Sequence, residues 1–247
     1  MNFTDIHTHI LFGVDDGPGN AAQMQKMLEK SYADGVRFLC ATPHFHPGLF
    51  PNTPAQIQDA FAQLCDYAAR KYPDMRLYLG NEVRYNRELI SWLQSGACLT
   101  LNGTNRVLVD FSAMESERNI VRAMERLLNA GYIPVLAHVE RYGRLSAQAA
   151  RDMIRNGVWL QADAGAFFGA FGAGPMYRSR AMLRARLLDV VASDIHDATS
   201  RSTVMHRAYE LTIKKCDKSY ANLIFCDNPR QLLETNDWEE SELNHER

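Results

Sequence analysis

Two observations predict that this chain of 247 residues folds as an α/β domain built around parallel strands. Short apolar runs alternate with amphipathic stretches along the sequence, which is typical of βαβ units. Several of the apolar runs are nearly continuous, as expected for strands that are buried on both faces. Seven such units can close into a barrel or remain an open doubly wound sheet, and periodicity alone leaves both arrangements open.

The predicted strands are the apolar runs that end in a histidine or an acidic residue, or close to one. They cover residues 4–9, 38–44, 77–83, 106–112, 133–139, 158–164 and 189–196. The predicted helices cover residues 20–34, 54–71, 115–130, 146–155, 177–187, 198–214 and 229–234. Gly35, Gly131 and Gly157 directly follow three of these helices, and glycine is a common residue where a helix ends.

Composition agrees with one folded domain and excludes several classes of protein. The chain is 46% hydrophobic and 23% charged, so it can bury a core. Its formal net charge of −2 does not fit a nucleic-acid-binding protein, which needs a basic face. No apolar run reaches the roughly 20 residues of a membrane span. We therefore expect one domain over residues 1–235 and a polar tail over 236–247 that frays.

Cysteine usage and the first residues predict the compartment. The five cysteines are odd in number and scattered, so they form no recognisable disulfide framework or metal-binding pair. The opening MNFTDIHTHI lacks the basic and apolar regions of a signal peptide. A cytoplasmic protein is the expectation from both features.

Histidines and carboxylates collect at the ends of the predicted strands. Five of the eight histidines lie there, namely His7, His9, His44, His138 and His196. Acidic residues occupy matching positions, namely Asp15, Asp16, Glu82, Asp110 and Asp194. Because the carboxyl ends of parallel strands meet at one rim of an α/β barrel, these distant residues would converge in space.

The spacing of these residues predicts a metal centre. His7 and His9 are separated by one residue, so both side chains point to the same side of a strand, and Asp194 and His196 repeat this spacing. Imidazole with carboxylate suits Zn, Fe or Mn and does not suit Ca. The ligands are too many for one tetrahedral ion, and clustered ions about 3.5–4 Å apart are typical of phosphate ester hydrolysis.

Five stretches of the chain resemble the motifs of one superfamily. DIHTHILFGVDDGPG, ATPHFHPG, GNEVR, LAHVERY and SDIHD are similar, in this order, to motifs of the polymerase-and-histidinol-phosphatase (PHP) superfamily. The similarity is greatest to the bacterial metal-dependent protein-tyrosine phosphatases of the CpsB/CapC type, which are encoded beside capsule and exopolysaccharide genes. HILFGVDDGPG and LAHVERY are the most specific strings.

The resemblance implies a distorted (β/α)7 barrel of PHP type, with the metal site at the C-terminal rim of the strands. It implies two or three divalent ions, with Mn as the first expectation and Fe, Zn or Mg as alternatives. The implied ligands are His7, His9, Asp16, His44, Glu82, Asp110, His138, Asp194 and His196. Asp15 could take the place of Asp16. Asp110 stands where the family commonly has the longer glutamate, so its direct contact with a metal is open.

The reaction that we expect is hydrolysis of phosphotyrosine by a metal-activated hydroxide. Arg141 and Arg201 follow two of the strand-end histidines and are the candidate phosphate-binding residues, since a guanidinium can bind two phosphate oxygens at once. A salt bridge for Arg141 and solvation at a helix end for Arg201 are the alternative interpretations. The resemblance further implies that the substrate is a bacterial tyrosine kinase that controls capsular or exopolysaccharide synthesis.

Other interpretations remain open at this point. A small-molecule phosphoesterase, such as a histidinol-phosphate phosphatase, would use the same chemistry. A non-catalytic, metal-stabilised partner of a polysaccharide-export complex would use the metal only for structure. A thiolate-dependent phosphatase is excluded, because no cysteine is followed six positions later by arginine.

Three further features of the sequence could contribute to the site or could have only a structural role. Phe45 and Phe50 could form an aromatic wall for a tyrosine ring, or they could simply pack under their loop. Gln161 and Asp163 share one face of a strand, so one of them could support the ligands. The glycine-rich segment 167–175 is expected to be a loop.

Overall fold

Parallel strands and helices alternate along the chain, which confirms the predicted α/β class. The computed structural model describes residues 1–234. The strands are β1 (Phe3–Asp5), β2 (Val36–Ala41), β3 (His44–Phe45), β4 (Arg76–Leu79), β5 (Glu82–Arg84), β6 (Arg106–Asp110), β7 (Ile133–Leu136), β8 (Trp159–Asp163) and β9 (Val190–Ala192). The helices are α1 (Ala21–Ala33), α2 (Pro54–Lys71), α3 (Leu89–Ser95), α4 (Glu117–Asn129), α5 (Ala147–Arg155), α6 (Ala173–Arg184), α7 (Met205–Lys215), α8 (Lys218–Asn222) and α9 (Asn228–Gln231). A π turn over Leu223–Asp227 joins α8 to α9.

Two of the predicted strands are each divided into two segments. The strand predicted over 38–44 is divided into β2 and β3 around Pro43, which has no N–H to donate to a neighbouring strand. The strand predicted over 77–83 is divided into β4 and β5 around Gly80. As a result β1, β2 and β4 pair in one sheet, and β3, β5, β6, β7, β8 and β9 pair in that order in the other.

The curled arrangement of strands brings the first and last strands together. Thr8 and Ile195 form a parallel bridge just beyond β1 and β9. The amide of His9 donates to the carbonyl of Ile195 (3.0 Å), and the amide of Asp194 donates to the carbonyl of His7 (3.0 Å). We call this junction the seam, and candidate metal ligands lie on both of its sides.

Successive strand residues face two separate apolar clusters. In β6, Leu108 belongs to the smaller cluster while its neighbours Val107 and Val109 belong to the larger one, which also contains the buried faces of the helices. Leu232 and Leu233, which follow α9, pack into the smaller cluster with strand residues. The end of the described chain therefore covers one face of the curled sheet.

Helix starts follow local capping chemistry. Thr53 and Gln56 form a reciprocal capping box at the start of α2. The hydroxyls of Ser116 and Ser146 accept hydrogen bonds from the third residue after each serine and thereby cap α4 and α5.

Several predicted elements have different bounds in the structure. The strands predicted over 4–9 and 133–139 end at Asp5 and Leu136, so that His7, His9 and His138 lie just beyond their strands. The helix predicted over 198–214 begins only at Met205, because the carboxylate of Asp197 accepts backbone hydrogen bonds from Thr199, Ser200 and Arg201 and holds these residues in a loop. The helix predicted over 177–187 begins earlier as α6, so the segment 167–175 is partly helical. The strand predicted over 189–196 ends at Ala192. The last predicted helix, 229–234, is the end of a longer one, and α3 and α8 had not been predicted.

Two further predictions concern the polar tail and membrane-spanning segments. The predicted tail over 236–247 lies outside the described residues. Among residues 1–234, no helix has both the length and the hydrophobicity that crossing a bilayer requires.

Candidate metal centre

The structure brings all nine predicted ligands into three neighbouring groups, of which two share His9. These groups are His9, Asp16, His44 and His196; His7, His9 and Asp194; and Glu82, Asp110 and His138. Within each group the candidate ligand atoms lie within 4.8 Å of one another. Most of these side chains are buried, although Asp16 is exposed and His44 is partly exposed. Residues that are up to 189 positions apart in sequence thus share one small volume.

Strand register explains part of this convergence. His44 begins β3 and is the direct register partner of Glu82, which begins β5. Asp110 ends β6, and Arg84 lies opposite it in the register of β5 and β6. Because parallel neighbours in register carry their side chains side by side, these residues meet at the same level of the sheet.

Two of the predicted ligands have left-handed backbone conformations. His138 has φ 35° and Asp194 has φ 51°, which is uncommon for residues other than glycine. His138 ends the β7 region and begins a short 3₁₀ turn over Val139–Arg141, in which the amide of Arg141 donates to the carbonyl of His138 (2.8 Å). Such conformations cost free energy and tend to occur at functional sites.

Glu82 lies at the centre of the histidines. Its Oε1 is 2.8 Å from Nε2 of His138. Its Oε2 lies 2.8 Å from Nδ1 of His44 and 3.3 Å from Nε2 of His9. One carboxylate therefore touches imidazoles from three distant parts of the chain.

The carboxylate of Asp194 separates imidazoles from guanidiniums. Its Oδ1 lies 3.5 Å from Nε2 of His7 and 3.4 Å from Nε2 of His9. Its Oδ2 accepts hydrogen bonds from Arg141 and from Arg201, the latter at 3.1 Å. Asp194 thus joins the candidate metal ligands to both predicted phosphate-binding arginines.

Two polar residues outside the ligand set orient the histidines of the first strand. Nδ1 of His9 donates to Oδ2 of Asp15 (2.7 Å), and Nδ1 of His7 donates to Oε1 of Gln161 (3.1 Å). Both Nε2 atoms therefore point into the cluster, where they lie 3.2 Å apart. Supporting hydrogen bonds of this kind are the rule for histidines that bind metals.

Asp15 and Asp16 have different surroundings. Asp15 is close to fully buried and accepts hydrogen bonds from His9 and from the amide of His44 (3.0 Å). Asp16 has its Oδ1 3.5 Å from Nε2 of His44 and 3.3 Å from Nε2 of His196. Asp16 is therefore the one placed among free ring nitrogens, whereas Asp15 faces a ring nitrogen that carries a proton.

The carboxylates and imidazoles of the cluster shift one another's pKa values. Burial lowers the pKa of His7, but the carboxylates of Glu82 and Asp194 outweigh it and raise that pKa to about 9. Burial and the nearby charge of Glu82 raise the pKa of Asp110 to about 7. Although burial opposes it, His7 and the hydrogen bond from His138 hold the pKa of Glu82 well below its usual range. The carboxylates therefore interact strongly with positive charge at this site, as ligands of a cation would.

The chemistry of the donors fits divalent metal ions. Oδ1 of Asp110 and Oε2 of Glu82 are buried without a hydrogen bond of normal geometry among the residues that the structure describes. Leaving such atoms unpaired costs free energy, which a cation would offset. Imidazole nitrogens with carboxylate oxygens are suitable ligands for Mn, Fe or Zn.

Both arginines predicted from the sequence lie beside this cluster. Nη2 of Arg141 donates to Asp163 (2.6 Å), and its guanidinium also lies 4.1 Å from the ring centre of Phe171. The Nε atoms of Arg141 and Arg201 are buried without an acceptor within residues 1–234. Arg141 does form salt bridges, but its partners are Asp163 and Asp194 and not its neighbour Glu140. Arg201 lies in the loop before α7 and not at a helix end.

The supporting residues were only partly foreseen. Gln161 accepts from the amide of His138 (2.8 Å) as well as from His7, and its own amide donates to Asp163 (3.0 Å). Tyr142 was missed: its hydroxyl accepts from the amide of Phe111 (3.0 Å) and lies 3.4 Å from Nδ1 of His138. Its place in the string LAHVERY was the available signal.

Phe45 of β3 and Phe50 of the loop that follows it have different environments. Phe50 stacks on the ring of His44, with centroids 5.1 Å apart and planes within 2°. Phe45 instead packs edge-on against Trp92 (5.3 Å). Phe45 therefore shows ordinary packing, while Phe50 lies beside a candidate ligand and its role as an aromatic wall stays a prediction.

Comparisons with known proteins find sequences similar to this chain in one protein family. The family model described as "Capsular polysaccharide synthesis, CpsB/CapC" matches residues 3–234. The tyrosine-protein phosphatase CpsB of Streptococcus pneumoniae is 34% identical over 236 residues, which are 93% of this chain and 97% of that protein. The tyrosine-protein phosphatase YwqE of Bacillus subtilis (strain 168) is 31% identical over 200 residues, which are 80% and 79% of the two chains.

Solved structures agree with these sequence matches. A crystal structure from work on YwqE of Bacillus subtilis and CpsB of Streptococcus pneumoniae, described as unique metal-dependent tyrosine phosphatases, superposes with a TM-score of 0.85 at 29% identity. That match covers 93% of this chain and 94% of the other. The phosphotriesterase homology protein of Escherichia coli superposes with a TM-score of 0.65 at 12% identity, over 94% and 99% of the two chains, which shows a shared fold.

Proposed function

This chain belongs to the CpsB/CapC family of capsular polysaccharide synthesis, and from that membership we propose that it is a metal-dependent protein-tyrosine phosphatase. The observation that carries the proposal is the gathering of nine nitrogen and oxygen ligands beside two arginines. Such an enzyme hydrolyses a phosphoric monoester, releasing tyrosine and inorganic phosphate.

We also propose that the curled sheet forms a distorted (β/α)7 barrel with the metal site at the C-terminal rim of the strands. Counting β2 with β3 and β4 with β5 as single interrupted strands gives seven positions around the ring. The hydrogen bonds of the seam support closure between the first and the seventh position. Active sites of α/β barrels lie at this rim.

The nine residues of the three groups would hold two or three divalent ions, with Mn as the first expectation and Fe, Zn or Mg as alternatives. When bound, such ions lower the pKa of a water molecule and neutralise charge on phosphate oxygens. Asp15 and Gln161 keep the rings of His9 and His7 in the tautomer that leaves Nε2 free. Tyr142 is close enough to His138 to limit the orientation of that ring.

Arg141 and Arg201 would bind the phosphate group of the substrate. Each has a buried Nε donor without an acceptor among residues 1–234, so that this N–H is available to a phosphate oxygen. Asp194 and Asp163 hold the guanidiniums in place and reduce the rotational freedom that phosphate binding would otherwise remove. Phe50 offers a ring at the edge of the same site.

The proposed substrate is a phosphotyrosine residue of a bacterial tyrosine kinase that regulates capsular or exopolysaccharide synthesis. The name of the matched family and the names of the relatives support this assignment. A cytoplasmic location would agree with the five free cysteines.

The test combines metal analysis with phosphatase assays. Purified protein should contain Mn, Fe, Zn or Mg and should hydrolyse p-nitrophenyl phosphate and phosphotyrosyl peptides in preference to phosphoseryl peptides. A chelator should abolish the activity. His138→Ala should lower kcat by more than the roughly 10–100-fold that is typical of losing a residue that only supports a ligand.

His206→Ala is the matched control, since His206 is exposed on α7, away from the candidate ligands, and lies near Glu210 and Phe3. Full activity in His138→Ala, or activity that a chelator leaves intact, would refute the proposed chemistry. A higher kcat/KM for histidinol phosphate than for phosphotyrosyl peptides would support a small-molecule phosphoesterase instead.

A further inference from the structure

A pocket lies next to the metal centre, outside the cluster of candidate ligands. It has a volume of about 400 Å³ and is lined by Tyr85 and Phe111, by three arginines of the β5–α3 loop and α4, and by Glu115. The arginines are Arg87, Arg122 and Arg126. We call it the arginine pocket.

The floor of the arginine pocket is continuous with the metal centre. Phe111 directly follows Asp110, and the amide of Tyr85 donates to the carbonyl of Asp110 (2.9 Å). Arg84, which precedes Tyr85, lies 3.2 Å from Oδ2 of Asp110. The pocket therefore begins one residue, or about 4 Å of backbone, away from a candidate metal ligand.

The positive charge of this pocket is not neutralised by its surroundings. Within residues 1–234 none of its three guanidiniums forms an ion pair, and Arg126 donates only to the hydroxyl of Tyr85 (3.2 Å) and the carbonyl of Arg87 (3.5 Å). Glu115 instead accepts from the amide of Ser116 and the side chain of Asn119, at 2.9 Å each. The whole chain has a formal net charge of −2, so this local excess of arginine is not a general property of its surface.

The shape and chemistry of the pocket fit an anionic side chain. Tyr85 and Phe111 stack with centroids 5.0 Å apart and form a rigid apolar floor, while the arginines supply planar donors that match carboxylate or phosphate oxygens. An extended peptide advances about 3.3 Å per residue, so side chains up to three positions from the reacting tyrosine lie within about 10 Å of it and can reach this adjoining pocket.

We propose that the arginine pocket is a second anion-binding subsite, which holds an acidic or phosphorylated side chain of the substrate polypeptide while the reacting phosphotyrosine occupies the metal centre. This inference rests on the proposed function. It assigns Arg122 as a specificity-determining residue that affects substrate binding and leaves the chemical step unchanged.

The test compares Arg122→Ala with Arg118→Ala. Arg118 is exposed one turn earlier on the same helix and does not line the pocket. Three phosphotyrosyl peptides of one sequence carry alanine, glutamate or a non-hydrolysable phosphonotyrosine three positions from the reacting residue. We expect Arg122→Ala to raise KM about five-fold or more for the two anionic peptides, with kcat unchanged and with less than two-fold effects on the alanine peptide and on p-nitrophenyl phosphate.

Arg118→Ala should behave as wild type with every substrate. An effect with the glutamate peptide identifies a carboxylate as the ligand, and an effect confined to the phosphonotyrosine peptide identifies a phosphoryl group. Equal KM values for the alanine and anionic peptides in the wild type, or equal KM values for the two variants, would overturn the proposal.

Binding measurements keep the two hypotheses separate. The same peptides with phosphonotyrosine at the reacting position can be followed by fluorescence anisotropy on the Mn-loaded protein. If no phosphotyrosine substrate is hydrolysed, the proposed function fails. The subsite is then judged by affinity alone: about five-fold weaker binding of the anionic peptides to Arg122→Ala supports it, and equal affinity overturns it.

Discussion

Gly17 occupies a position at the metal centre that no larger residue can take. A Cβ built on Gly17 would lie 2.1 Å from the carbonyl oxygen of His9. Its amide donates to Oδ1 of Asp15 (3.0 Å), and Asp15 orients His9. The missing side chain therefore lets the loop after β1 approach the strand closely enough to position a ligand.

Gly17→Ala should displace this loop and disturb both His9 and Asp16. We expect a loss of about 1–3 kcal/mol in stability, as for other overpacked sites, together with at least a ten-fold loss of kcat/KM for p-nitrophenyl phosphate. Thermal denaturation and steady-state assays with Mn measure the two effects. Gly19→Ala is the control, because a Cβ there would meet only Oε1 of the flexible Gln23 at 3.6 Å. Equal behaviour of the two variants would contradict this account.

At the residue scale, the sequence predicts which side chains lie at the site better than it predicts the hydrogen-bond partner of each one. HxH and DxH spacings at strand ends are enough to place His7, His9 and Asp194 near one another. The hydrogen bond between His7 and Gln161 joins residues 154 positions apart, and it depends on which way each side chain points. Alternation along a strand gives the face of a residue, but it does not give the rotamer that makes a contact.

At the element scale, Asp189 shows how a strand start depends on pH. Oδ2 of Asp189, just before β9, accepts a hydrogen bond from the amide of Leu160 (2.9 Å). Burial outweighs this hydrogen bond and raises the pKa of Asp189 from 3.8 to about 6. The folded protein therefore disfavours the ionised carboxyl, and this penalty is absent at low pH and complete above about pH 6.

Asp189→Asn should remove that penalty while keeping an oxygen for the amide of Leu160. Its unfolding free energy should exceed that of wild type by an amount that grows between about pH 3.8 and 6, to an upper limit of about 3 kcal/mol. Urea denaturation at several pH values measures the difference. Gln58→Ala, on the exposed side of α2, changes no titratable group and is the control. A difference that is constant with pH would contradict the assigned cause.

The positions of the strands could be predicted from the sequence, whereas the interruption of a strand and the late start of a helix could not. Apolar runs located every strand position, and glycines located the ends of three helices. The interruption around Gly80 depends on close contact with Thr100 and Leu101, where a Cβ would lie 3.1 Å from the nearest atoms. The late start of α7 depends on Asp197, whose side chain competes with the helix for backbone amides. Both effects come from tertiary or side-chain contacts that propensity does not contain.

At the scale of the whole molecule, metal binding and folding should be linked through the seam. His7 and His9 lie on one side of it, and Asp194 and His196 lie on the other. Ions bound by all four would hold the first and last strands together. In the absence of ions, this additional link between the two sides of the seam is lost.

Removing metal should therefore lower the thermal stability of the protein. A ligand at about 100 times its Kd contributes about 2.7 kcal/mol, which corresponds to roughly 5–10 °C in Tm for a domain of this size. Differential scanning calorimetry with Mn and with a chelator measures the shift. Hydrogen exchange should rise first at the amides of His9 and Asp194, which form the seam. Arg122→Ala should retain the full shift, and an unchanged Tm after chelation would contradict the link.

The position of Leu232 and Leu233 has a consequence for the synthesis of the protein. These two side chains complete the smaller apolar cluster, whose other members come from strands spread over the whole sheet. Until they emerge from the ribosome, that face of the sheet stays open to water. At about 5–20 residues per second, a nascent chain waits tens of seconds before this last piece arrives. The final fold is therefore reached after translation of nearly all the described residues, and chaperones that shield apolar surface have their main opportunity during that interval.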